Sequence, residues 1–133
     1  MIIISSLFNI SDNSGLKKIL SIGILGKSSI KLNICDFIIG SVKKGILKNK
    51  RFGDYSRVYT SKSSLFKFFI VKSKKYSKIN FNNSMRSCKN SVIVINKEKN
   101  IIEGKKVIGI MSNIVKKIFY KSKVNLKNAK FIM

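Results

Sequence analysis

The sequence predicts a mainly β fold, a small β-barrel with a short helical C-terminal part, and three observations lead there. Short apolar runs rich in Ile, Val and Phe recur along the chain, each bounded by turn-forming residues, and one of them alternates with period two. The chain has 133 residues, about the size of one domain, so residues 1–133 are read as a single unit, and 44% of them are hydrophobic, enough for a core. Five or six strands in so small a domain dispose of their exposed edges best by closing on themselves.

Taken in order, Leu20, Ile22 and Ile24 alternate with Ser21 and Gly23, the mark of a strand. ICDFIIGSV at 34–42, LFKFFIVK at 65–72, SVIVIN at 91–96 and KVIGIM at 106–111 are strand-forming runs separated by turn residues. Two long basic connections, 43–64 and 73–90, lie between them and read as loops rather than tight hairpins. SNIVKKIFY at 112–120 sets Ile114, Val115, Ile118 and Phe119 against Lys116 and Lys117, the pattern of a short amphipathic helix with Ser112 as its N-cap. This helix plugs one end of the barrel. The tail to residue 133 carries Val124, Leu126, Ala129 and Phe131, enough apolar surface to dock, so the C-terminal helical part spans about 112–133.

Charge bounds the function. Lys and Arg number 28 against 5 Asp and Glu, a formal net charge of +23, so most cations must find their counter-charge outside the chain. A polyanion such as nucleic acid relieves that self-repulsion. All the cations but Arg51, Arg57 and Arg86 are lysines, which suit point contacts to phosphates better than bidentate reading of guanine. The first connection carries Lys43, Lys44, Lys48, Lys50, Arg51, Arg57 and Lys62; the second carries Lys74, Lys75, Lys78, Arg86 and Lys89. Tyr55, Tyr59, Tyr76 and Phe81 are interleaved among them, and such loops track a ribose-phosphate backbone and stack on unpaired bases.

Catalysis is disfavoured. The chain has no His, which removes Ser-His and Cys-His nucleophile pairs and His-bearing zinc sites. Cys35 and Cys88 cannot complete a four-thiolate site and read as two buried or half-buried free thiols. The carboxylates Asp12, Asp36, Asp54, Glu98 and Glu103 are too few and too scattered for an acid/base pair or a magnesium site, so no metal and no cofactor is expected. GILGKSS at 23–29 ends like a phosphate-binding loop, but Ser21 occupies the position where the first glycine is needed. No interval has the ~18 uncharged apolar residues of a membrane span, no leader is expected, and the lysines do not line one helical face, so no membrane partner is expected.

Pro, Trp and Gln are absent and Ala129 is the one alanine, while Ile, Lys, Asn and Phe dominate. Codons for the favoured residues are made largely of A and T, which points to an AT-rich genome such as that of an organelle or a reduced parasite or symbiont.

The residues also resemble a known family. SDNSGL at 11–16 is similar to the ADNSGA signature of the large-subunit ribosomal protein 14 family. CDFIIGSVKKGI at 35–46, FIVKSKK at 69–75, RSCKNSVIVIN at 86–96 and EGKKVIGIM at 103–111 resemble four further segments of that family, in the same order, over nearly the whole chain. The turn is the most specific of these: Asp12, Asn13 and Ser14 are suited to hydrogen-bonding local backbone groups, and Gly15 supplies a positive φ.

The resemblance implies a five-stranded barrel with a small helical C-terminal part, seated on large-subunit ribosomal RNA and facing the small subunit. It also implies contacts with small-subunit RNA and with neighbouring large-subunit proteins, and docking of a ribosome silencing factor. Ile110 stands where the family has Pro, Lys105 replaces Thr and Lys106 replaces Arg, which alters the surface such a factor meets. The stretch 49–62 is longer than the family pattern.

The expected RNA-binding positions are Lys17, Lys18, Lys43, Lys44, Lys48, Lys50, Arg51, Lys72, Lys74, Lys75, Lys78, Arg86, Lys105 and Lys106. The expected setting is a mitochondrial ribosome, with a relict plastid or a bacterial cytoplasm as alternatives. The competing function is a free DNA-compacting nucleoid protein.

Overall fold

The computed structural model describes residues 2–45, 64–74, 77–80, 83–85, 87–95, 104, 107–112, 114–115 and 130–132. Runs of β-branched and aromatic residues form the strands, and five strands close a barrel: β2 (Leu7–Ile10), β3 (Leu16–Ile24), β5 (Phe37–Gly45), β6 (Leu65–Lys72) and β9 (Ser91–Ile95). Neighbours are antiparallel except where β2 meets β9 in parallel and shuts the ring. Outside it lie three short ladders: β1 (Ile2–Ile3) with β4 (Lys31–Leu32), β7 (Ser77–Asn80) with β8 (Asn83–Met85), and β10 (Ile110–Ser112) in parallel with β11 (Lys130–Ile132).

Two apolar clusters follow from the alternation of side chains along each strand. Phe8, Ile19 and Val42 form one cross-strand row inside the barrel, and Ile38, Phe68, Ile70, Val92 and Val94 fill the rest of that interior. Phe69, Val71, Ile93 and Ile95 point the other way from β6 and β9 and are covered by Val107, Met111 and Val115 from the C-terminal segment. β9 is thus buried on both faces, which is why its sequence is an unbroken apolar run with no alternation. Each such side chain contributes about 1.5–3 kcal/mol by leaving water.

Several elements differ from the sequence expectation. The run 106–111 is not a barrel strand: Val107 makes an isolated bridge to Asp12, and β10 pairs outside the ring. The ring is completed instead by β2, whose LFNI pattern places Phe8 inside and leaves Leu7 exposed. The connection 73–90 contains the β7–β8 hairpin rather than loop alone. Ser112 ends β10, Ile114 and Val115 are helical, and 113 and 116–120, with the start and the rest of the expected helix, lie outside the described residues.

β3 also departs from simple alternation. Register shifts at Leu16/Lys18, Lys18/Ile19 and Ser21/Gly23 change its phase. Ile19 and Ser21 therefore face inward while Ile22 is 49% exposed. Ser21 is tolerated there because its Oγ donates to the Ser6 carbonyl and accepts from the Ser6 N–H, at 3.2 and 3.1 Å.

Candidate nucleic-acid interface

The candidate interface starts from the turn that joins β2 to β3. Asp12 is buried; its Oδ1 accepts the Ser14 N–H at 2.9 Å and its Oδ2 accepts the Val94 N–H from β9 at 2.7 Å. Gly15 has a φ of 99°, the left-handed region that returns the chain into β3. Gly104 sits so close that a Cβ there would lie 2.7 Å from the Asp12 Cβ. The turn thus ties together three stretches of chain that are distant in sequence.

β3 leaves this turn and pairs with the end of β5, and that pairing assembles the cations. Lys18 lies directly opposite Lys44, and Leu16 opposite Gly45. Gly45 has a φ of 115°, and a Cβ on it would fall 2.5 Å from the Lys17 nitrogen, so only glycine lets the strands approach at this point. The bulges around Lys18 turn both Lys17 and Lys18 to solvent, and Lys43 and Lys44 are exposed beside them. Two ammonium groups directly across a ladder repel each other. Four exposed lysines on two adjacent strand ends form a site that favours an anion.

No acid in the described part meets this need. Asp12 is buried in the turn, and Asp36 accepts the Lys27 ammonium at 2.6 Å and the Asn33 N–H at 2.8 Å. Lys67 lies over the Phe37 ring, 4.8 Å from its centre. Among the described residues the His, Cys, Asp and Glu side chains form no group suited to a metal ion.

The other expected positions fall differently. Lys72 is half-buried and its Nζ donates to the Ile108 carbonyl at 2.9 Å; burial pulls its amine below the usual lysine range. Lys74 is exposed, with its backbone N–H on Asn90 Oδ1 at 2.8 Å. Lys78 lies in β7. Lys48, Lys50, Arg51, Lys75, Arg86, Lys105 and Lys106, and the aromatics Tyr55, Tyr59, Tyr76 and Phe81, lie outside the described residues. The juxtaposition of Lys18 with Lys44 was not legible in the sequence, because it depends on a bulged register between segments 26 residues apart.

The thiols are free, but only Cys35 is sheltered, packing against the outer cluster, whereas Cys88 is exposed. Burial, with Asp36 adding to it, pushes the Cys35 thiol up to about 12.

Comparison with known proteins identifies the family. The family model of ribosomal protein L14p/L23e matches residues 1–130. The chain is 37% identical over 117 residues to large ribosomal subunit protein uL14c of Eimeria tenella, covering 88% of each chain. It is 30% identical over 113 residues to the protein of the same name from Toxoplasma gondii, covering 85% of each. The final letter of both names marks a plastid-type protein, which overturns the mitochondrial expectation: AT-rich coding is common to both organelles and does not separate them. The chain belongs to the large-subunit ribosomal protein 14 family, whose members are structural proteins of the ribosome and not enzymes.

Proposed function

We propose that the chain is a structural constituent of the large subunit of a plastid ribosome and that it grips ribosomal RNA through Lys17, Lys18, Lys43 and Lys44. The observation that carries this is the Lys18–Lys44 register, which concentrates charge on a rigid pair of strands with no described carboxylate beside it. Rigid point charges suit a duplex RNA surface, whose phosphates and 2′-hydroxyls are read by shape rather than by base sequence. The names of the Eimeria and Toxoplasma relatives support the plastid setting. Lys74 is a further exposed cation for large-subunit RNA, Lys48, Lys50 and Lys62 add to the charge that draws the chain to it, and the family's position at the subunit interface brings small-subunit RNA and neighbouring proteins within reach. Lys72, held on the Ile108 carbonyl, serves the fold first.

The test is RNA affinity across a salt series. Each phosphate contact removed lowers the slope of log affinity against log salt by about 1, so Lys18→Gln with Lys44→Gln should reduce it by roughly 2 and weaken binding to all duplex sequences alike. An unchanged slope would overturn the assignment of these lysines. Sedimentation in magnesium gradients addresses the competing nucleoid reading: the chain is expected with plastid large subunits, and recovery with DNA or with another ribosome defeats the proposal.

A further inference from the structure

We infer that two β-bulges, each passing over one lysine, are the device that gathers the RNA-gripping cations on one face, and that Gly45 is the positioning residue on which the first bulge depends. Leu16 pairs with Gly45, Lys18 with Lys44 and Ile19 with Val42. The step from the first pair to the second passes over Lys17 on β3, and the step from the second to the third passes over Lys43 on β5. One extra residue on each strand cancels the other, and the ladder resumes in its earlier register. Leu16, Ile19 and Val42 all belong to the core inside the barrel. Strict alternation with Ile19 and Val42 inward would turn Leu16 outward and send Lys17 and Lys44 into the barrel. With the bulges, Leu16 keeps its place inside, and Lys17, Lys18, Lys43 and Lys44 are all exposed. A straight ladder would offer solvent two of these ammonium groups; the bulged one offers four.

Gly45 lets the first bulge close. With its φ of 115°, a Cβ on it would fall 2.5 Å from the Lys17 nitrogen, 2.6 Å from the Leu16 Cα and 2.8 Å from the Gly15 carbonyl oxygen. All three are backbone atoms at or beside the bulge, so no side-chain rotation makes room, and a larger residue must displace the backbone that presents Lys17 and Lys18. Gly45 has no group for a phosphate and acts only through these lysines. Its role rests on the RNA-binding reading of the four cations, and the ligand class is the same, a phosphodiester backbone.

The first experiment uses the full, unaltered chain. Reductive methylation with and without duplex RNA should find the amines of Lys17, Lys18, Lys43 and Lys44 all protected by the RNA. Protection of Lys18 and Lys44 with Lys17 or Lys43 left reactive overturns the bulge device alone, whereas four reactive amines defeat the RNA-binding reading itself. This footprint needs no variant and decides the bulge device even where Gly45→Ala does not fold. The second experiment uses Gly45→Ala, which keeps every lysine and the net charge of +23. Charge number alone predicts no change in the slope of log affinity against log salt; displaced lysines predict a slope lower by about 1 or more. Gly23→Ala, on the same pair of strands but with nothing within 4 Å of the added Cβ, should keep the original slope. An unchanged slope for Gly45→Ala, or an equal fall for Gly23→Ala, overturns the role of Gly45.

Discussion

Asp12 shows how much one side chain can determine. It satisfies two buried N–H groups, one local and one from β9. Replacing it by Ala orphans both at about 1–3 kcal/mol each, which should lower the melting temperature by roughly 10 °C or more. Asp12→Asn keeps one acceptor and should lose less; thermal unfolding at high salt distinguishes the three proteins, and equal midpoints would refute the role given to the carboxylate. The cysteines offer a second check. Cys35 is sheltered with its thiol raised to about 12, whereas Cys88 is exposed. Iodoacetamide at mildly alkaline pH should therefore label Cys88 readily and Cys35 only after unfolding, as mass spectrometry of the digested chain would read. Because the folded value lies above the ordinary 9.0, the neutral thiol's contribution to stability is present below that value and is lost as pH rises through it toward about 12. Cys35→Ala should remove this part of the alkaline fall in stability.

At the scale of elements, alternation on β6 separates three fates for neighbouring apolar residues. Phe68 faces the barrel interior, Phe69 the outer cluster, and Leu65 solvent. Phe68→Ala should cost about 3–5 kcal/mol, and Leu65→Ala less than about 0.5 kcal/mol, by denaturant unfolding. A large loss at Leu65 would contradict the exposure of that side chain. β6 and β9 were readable because their apolar runs are long and bounded. β2 was not, because a strand of four residues with one side chain in the core gives too little period to recognise. β3 showed its strand character, but the phase of its alternation was misleading: Leu20 lies on the face opposite Ile19 and Ser21, and register shifts to either side bring Leu16 and Ile24 to the core.

At the scale of the molecule, the net charge of +23 acts in opposite directions on folding and on binding. Salt screens repulsion among the lysines and should raise the melting temperature of the free protein, while the same salt competes for phosphates and weakens RNA binding. Measuring both across one salt series tests the electrostatic account; parallel changes would contradict it. The cations of the 43–64 connection contribute to both effects through their number, whatever their individual partners.

By itself the sequence determined the chemistry: strands from apolar runs, an anionic partner from unbalanced lysines, a non-catalytic role from the missing histidine, and the family from an ordered set of short segments. These follow from composition and local pattern, which act over a few residues. Tertiary structure decided which strands close the ring, that Lys18 faces Lys44, and that Lys72 reaches the Ile108 carbonyl. Those depend on bulges and ring closure, where one inserted residue shifts every later side chain to the opposite face, and no local pattern records that shift.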